Sequence, residues 1–219
     1  MIRSKTMLLL ALVLFIASIV LNFPFPHSDP YGETIASELN IPTKSANGWY
    51  YVGFASLLLF ISSLFFLSNS LNKYHGRIIL LAIVVVMFAP PMIASTFQKA
   101  FATGIYAVSY ESNLSNCHFE MLDETTLRGE CVLPFENYSK NEVQFSVEFY
   151  EKYFIEDDVL MVTLLNNHAP YEVMLKGYER RNVKIESNID VSNLENYVEN
   201  GDTSGMNIII KSGEKMRKL

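Results

Sequence analysis

Cys117 and His118 are the one place in this chain where a thiol adjoins an imidazole. A thiol nucleophile needs a base on its own side. Neighbouring residues on a strand point to opposite faces, so the two cannot form a dyad there. The only other cysteine is Cys131. A hairpin centred on Glu124 sets Cys117 opposite Cys131, Phe119 opposite Gly129 and Met121 opposite Leu127 on one apolar face. On the other face Glu120 meets Arg128, an opposite-charge pair that favours this register. The expectation is a Cys117–Cys131 disulfide, with a reactive thiol or metal ligand as the alternative. The weak point is the turn, because Asp123-Glu124-Thr125 lacks the glycine that a three-residue loop prefers.

Other chemistry-bearing residues converge less. His27, His75, His118 and His168 are scattered without zinc-ligand spacing. Ser212-Gly213-Glu214-Lys215 matches S-x-x-K, and Lys211-Ser212-Gly213 resembles K-T-G, but the two overlap in one turn, whereas that chemistry needs separate elements. Glu156-Asp157-Asp158 lacks EF-hand spacing and reads as a solvated turn. Asn113-Leu114-Ser115 and Asn137-Tyr138-Ser139 are glycosylation sequons only in a eukaryotic secretory route. No catalytic, cofactor-binding or metal residue is assigned, and no cofactor is expected.

Three runs without Asp, Glu, Lys, Arg or His fill the first part of the chain: 7–23, 49–67 and 78–97, of 17, 19 and 20 residues. A membrane-spanning helix needs roughly 20 apolar residues. Each run can therefore span, the first barely. The first run is read as an uncleaved anchor, a signal peptide being the alternative, because the bulky Asn22-Phe23-Pro24-Phe25-Pro26 offers no small-x-small cleavage site. Basic residues near helix ends stay cytoplasmic. Arg3 and Lys5 precede the first run, and Lys73 and Arg77 lie between the second and third. The 28–48 segment holds Asp29, Glu33 and Glu38 against Lys44. The expected topology is therefore N-terminus cytoplasmic and the C-terminal domain extracytoplasmic. Lys99 dissents mildly. Ser56 and Ser63, seven apart, make one face of the second helix that is either a close-packing surface or ordinary composition. Pro90-Pro91 either kinks the third helix or stops it. The absence of ionisable side chains in these runs argues against a transport role for this chain alone.

Residues 1–99 carry six Lys and Arg against three acids, and residues 100–219 carry eleven against twenty, so the charges are +3 and −9. An acidic domain is a poor phosphate binder, and nucleic acid is set aside as a partner. Val143–Phe149 alternates without error. Val159–Leu165 reads as a central strand, and Tyr171–Leu175, Val183–Ile185 and Asn207–Lys211 as further strands. Tyr106–Tyr110 and the cysteine segment add others. Ser192-Asn193-Leu194-Glu195 has capping-box spacing, with Asn200-Gly201 as a helix stop.

Glu136–Asn141 leading into an alternating strand, then an apolar strand, the Ala169-Pro170 turn and another alternating pair, resembles the immunoglobulin-like modules of many bacterial envelope proteins over about 130–190. The usual tryptophan is missing: Trp49, the only one, lies in the second apolar run. The fold class expected is membrane α plus all-β: three transmembrane helices in 1–99, then an extracytoplasmic antiparallel β-sandwich in 100–219. The expected role is a cell-membrane, multi-pass binding or accessory module. Its partners would be the lipid bilayer and another membrane or envelope protein. The alternatives are an envelope enzyme and an auxiliary transporter subunit.

Overall fold

Long runs of apolar residues form helices here. In the computed structural model, which describes residues 2–45, 48–151, 161–194, 197 and 199–219, these are α1 (Lys5–Leu21), α3 (Tyr51–Ser70) and α4 (His75–Ala100). A short helix, α2 (Tyr31–Glu38), lies between the first two, in a stretch the sequence reading leaves as loop. The chain divides into two compact units, Met1–Thr96 and Phe97–Leu219.

Within the first unit, α3 and α4 are long and apolar enough to cross a membrane, while α1 is a shorter apolar helix. Ser4 caps α1, its hydroxyl accepting from the Met7 amide at 3.4 Å. The serine face of α3 packs against α1. Ser63 Oγ donates to the Ala11 carbonyl at 3.0 Å and Ser18 Oγ to the Ser56 carbonyl at 3.0 Å. The Arg3 and Ser4 amides reach the Ser70 carbonyl. Positions 4, 11 and 18 thus run antiparallel to 70, 63 and 56. A repeat of seven keeps one seam facing its partner along both helices, and the small side chains let the backbones approach until hydroxyls reach carbonyls. Asn22 Nδ2 closes the seam on Ser56 Oγ at 2.6 Å. α1 thus packs along α3, and α4 meets that pair through Ile78 and Ala82 near Ala11, Leu67 and Leu71. Pro90 and Pro91 lie inside α4, which continues past them to Ala100.

The second unit holds two antiparallel sheets in a curled, sandwich-like arrangement. Its strands are β1 (Val108–Tyr110), β2 (Asn116–Met121), β3 (Thr126–Asn137), β4 (Val143–Phe149), β5 (Tyr171–Leu175), β6 (Arg180–Asp190), β7 (Asn200–Ser204), β8 (Ile208–Ser212) and β9 (Lys215–Lys218). One sheet runs β1-β3-β2-β7 with β6 on the far side of β3. The other runs β5-β4-β8-β9. The alternating residues of β4, Val143, Phe145, Val147 and Phe149, are all buried, as the spacing predicts. They pack with Leu133, Phe135, Ile189, Ile208 and Ile210.

β3 organises its sheet. Its odd-numbered residues exchange ladder bonds with β6, a parity set by Asn137 N–H to the Glu179 carbonyl and Val191 N–H to the Thr125 carbonyl. Its even-numbered residues therefore face β1 and β2. Pro134, which has no amide to give, falls where β1 hands over to β2, between Tyr110↔Phe135 and Asn116↔Val132. A proline inside a sheet survives only where no ladder bond is required of its nitrogen.

Two readings are corrected. Residues 161–168 are helical: α5 (Met161–Leu164), then a 3-10 turn Leu165–His168. A continuous apolar run does not distinguish a buried strand from a buried helix; residues 159 and 160 lie outside the described residues. Asn200-Gly201 does not stop a helix but begins β7, and Glu195 of the capping box lies outside the described residues. Ser212-Gly213 is a turn, as read. It turns β8 into β9, with Gly213 at φ +57°.

Two glycines mark close approaches. A Cβ on Gly129 would sit 2.6 Å from Leu165 Cδ2, the side chain that the 3-10 turn lowers onto β3. A Cβ on Gly177 would run into the Lys140 carbonyl oxygen. Beside that contact lies Asn137, fully buried. Its Nδ2 donates to the Asn141 and Lys176 carbonyls at 2.8 and 2.9 Å, and its Oδ1 accepts from the Ser139 amide and hydroxyl at 2.9 and 2.8 Å. It joins the end of β3 to two turns at once. Asn137→Ala leaves these groups unpaired in the interior, and we expect about 2–3 kcal/mol of lost stability, read as a lower denaturation midpoint of the full chain in detergent.

Candidate functional site: the charged sheet face

Alternation along β2, β3, β6 and β7 turns every second side chain to one outer face, and about half of these are charged, clustered at its centre. His118 Nδ1 lies 2.9 Å from Asp202 Oδ1, and His118 Nε2 lies 3.9 Å from Glu120. Arg128 reaches Glu120 at 3.7 Å, Glu130 at 3.5 Å and Glu186 at 3.4 Å. Lys184 bonds Glu130 and Glu186, each at 2.8 Å. The chain of charges crosses four strands.

Its logic follows from the register. Glu130 stands directly opposite Glu186, and like charges in that position repel. Lys184 and Arg128 bridge the two carboxylates and offset the repulsion. The hydrogen bond from Lys184 holds the Glu186 carboxyl below its ordinary range, and the Glu130 hydrogen bond raises Lys184. The Glu186 contribution is therefore present above the ordinary carboxylate range and lost as pH falls through its depressed value. The Lys184 contribution is lost as pH rises through its raised value.

The hairpin that carries the face has the expected register, Cys117↔Cys131, Phe119↔Gly129, Glu120↔Arg128 and Met121↔Leu127. A disulfide joins Cys117 to Cys131, both fully buried. By the parity of β3 this pair exchanges no ladder hydrogen bonds, and its Cα atoms stand 4.0 Å apart, the narrow kind of cross-strand pair. Cys117 faces the core while His118 faces solvent. The missing turn glycine is replaced by Asp123, whose Oδ1 accepts from the Thr125 and Thr126 amides at 2.9 and 2.8 Å. The Thr125 amide leads in holding its carboxyl below the usual range. An Asx turn supplies by side chain what glycine would supply by backbone freedom.

The other chemistry-bearing residues fall elsewhere. Ser212 and Lys215 pair across the β8–β9 turn, so S-x-x-K is a hairpin closure. Asn137 of the second sequon is the buried knot described above, and Asn113 lies in a 3-10 turn with no buried residue. Glu156-Asp157-Asp158 lies outside the described residues. Among the described residues no group of three His, Cys, Asp or Glu is placed to hold a metal.

One pair has no signal in the sequence. His168 Nδ1 lies 2.8 Å from Ser187 Oγ, a nucleophile–base distance. Ser187 is buried on the core side of β6. No carboxylate orients the imidazole among the described residues. The pair latches the 3-10 turn onto β6, beside the Leu165 contact with Gly129. A cleft of about 180 Å³ near Tyr150, Glu151, Thr203 and Asn207 contributes one carboxylate, Glu151, which accepts from Thr163 Oγ1 at 3.3 Å. The chain matches no protein-family profile, no curated protein and no solved structure.

Two outcomes follow. Arg128→Ala should lower the stability of the full chain by about 1 kcal/mol at low ionic strength, and the difference should shrink in high salt; an unchanged difference would show that Arg128 acts by packing. Replacing both cysteines by alanine should cost roughly 3 kcal/mol in the chain-entropy account of a loop of about 15 residues, and thiol reagents should label no cysteine in the denatured, non-reduced wild-type protein.

Proposed function

We propose that the chain is a membrane-anchored binding or accessory module. In this reading α1, α3 and α4 cross a cell membrane with the N-terminus cytoplasmic, and the β domain stands outside and contacts another membrane or envelope protein through its charged sheet face. One observation carries the anchoring. In the most apolar windows of α3 and α4, only 17% and 11% is buried within the chain. Phe54, Leu57, Leu58, Ile61, Leu80, Leu81, Met87 and Phe88 are all at least half exposed. Contiguous apolar surface on this scale requires a non-aqueous neighbour, and lipid is the solvent that suits it. The basic flanks at Arg3, Lys5, Lys73 and Arg77 support the orientation. The disulfide suits an oxidising compartment.

The contact role is supported by the face itself. Four acids are held in fixed positions around Arg128, Lys184 and His118, which gives a patterned surface that a complementary partner can read. The two-sheet arrangement is consistent with the immunoglobulin-like reading, with the disulfide inside one sheet.

Two measurements test the proposal. A reporter active only in an oxidising compartment, fused after Leu219, and one active only in the cytoplasm, placed in the 68–77 loop, should both work; silence from both sinks the orientation. The Arg128→Glu, Lys184→Glu variant should insert normally yet lose the proteins that cross-link to the wild-type domain in intact cells. Unchanged cross-linking would remove the face from the binding role. A turnover activity in pure protein, abolished by one outer-domain polar substitution that leaves the fold intact, would replace the binding reading by an enzyme.

A further inference from the structure

The outer edge of β6 carries a charge sequence that is complementary to itself. The odd-numbered residues of β6 bond to β3, so the N–H and C=O groups of Asn182, Lys184, Glu186 and Asn188 point away from the sheet. No backbone group among the described residues reaches them from outside the β3 ladder. Their side chains share the solvent face, flanked by Arg180 and Asp190. Read along the strand, that face is Arg180, Asn182, Lys184, Glu186, Asn188, Asp190: basic in its first half, acidic in its second, with an Asn in each.

We propose that β6 pairs antiparallel with β6 of a second copy, about a two-fold axis at Ile185, to make one continuous sheet through both domains. In that register Lys184 faces Glu186 of the copy, Asn182 faces Asn188, and Arg180 faces Asp190, each contact occurring twice. The residues brought together are those with free backbone groups, so each opposed pair exchanges both ladder bonds. A slip of one residue would mix core and solvent faces. A slip of two in either direction sets Lys184 on its own copy or Glu186 on its own copy, and like charges directly opposite repel. Registers centred on Val183 or Ser187 keep one kind of opposite-charge pair, Arg180 with Glu186 or Lys184 with Asp190, and overlap less; the register centred on Ile185 satisfies backbone and faces and matches the most charges.

An edge protected against pairing carries lysines or an inward charge that any second strand must meet. Here the sign reverses at the middle, so the two-fold turns the charges from a barrier into a match. Within one chain Lys184 is already held between Glu130 and Glu186. The copy would extend that cluster across the axis with a second Lys184 and a second Glu186. Arg180 and Asp190 also have partners of their own, Glu111 and the Ser192 amide, so the four central residues carry the inference. It stands independently of the membrane-anchored reading.

The test uses the full chain in detergent micelles and two variants that differ at one position. Asn182→Glu with Asn188→Glu sets Glu against Glu twice across the axis. Asn182→Lys with Asn188→Glu sets Lys against Glu twice. In both variants the carboxylate introduced at position 188 lies beside Arg128, the β3 partner of that position within the chain. Sedimentation should give the wild type twice the 24.9 kDa of one chain. The first variant should dissociate at a concentration about tenfold higher than wild type, and the second at one about tenfold lower, two cross-strand charge contacts being altered in each. A monomeric wild type, leaving the edge for a strand of another protein, overturns the proposal. So does a dimer equally stable in both variants, which would be held elsewhere. A wild-type experiment needs no substitution: zero-length carbodiimide coupling of mixed isotope-labelled and unlabelled chains should yield a Lys184–Glu186 cross-link with one peptide from each. Purely single-isotope cross-links would refute the pairing.

Discussion

The division of β3 into two sets of hydrogen-bonding groups is the constraint on which the β domain rests. Its odd-numbered residues are committed to β6 and its even-numbered residues to β1 and β2. That one parity explains why a proline is tolerated at 134, why the cysteines meet in a close pair, and why Glu130 confronts Glu186 and needs Lys184. It also decides which residues of β6 remain uncommitted. A change of parity by one residue would bury Arg128 and expose Leu127.

The side chains on the core side of β3 set the second sheet in place. Leu127, Leu133 and Phe135 are buried with Phe145, Ile208 and Ile210, and Phe135 meets Phe145 edge-on at 5.3 Å between centroids. Gly129 is the gap in that row, filled from above by Leu165 with Phe119 beside it. The last strand is tied in differently. Arg217, buried, donates to the Ile105 and Val108 carbonyls at 2.7 and 2.6 Å. Burial pulls its pKa down to about 10, yet at neutral pH it is still charged and binds carbonyl dipoles in a low-dielectric setting, where such bonds are strong. Burial likewise pushes Tyr110 up to about 12, and its hydroxyl donates to the Met206 carbonyl at 2.8 Å.

What was legible in the sequence follows from period and pairing. Val143–Phe149 alternates, so β4 is readable to the residue. The Cys117–Cys131 register could be derived because a hairpin has one free parameter and Glu120–Arg128 helps to select it. The 3-10 turn at 165–168 was not legible, because Leu164-Leu165 suits a strand as well as a helix. β7 was hidden because Asn200-Gly201-Asp202-Thr203-Ser204 has almost no apolar residue to bury. It is a strand by virtue of β2 alone. The Asn137 knot was masked by a sequon, and the Ser187–His168 contact joins elements whose approach no local pattern announces. The serine spacing of α3 was visible, but its mate could be found only once Ala11 and Ser18 were seen to share the same interval.

The order of strands in space differs from their order along the chain, and this bears on synthesis. β2 receives its second neighbour from β7, and β4 from β8. Both arrive from the ribosome after β6. A nascent chain that already holds β1 to β6 therefore leaves β2 and β4 each without one of its final neighbours. Neither sheet reaches its final width until the segment beyond β6 has followed. Over that interval the half-built domain is adhesive on two sides, and anything that slows elongation prolongs its exposure to other growing chains.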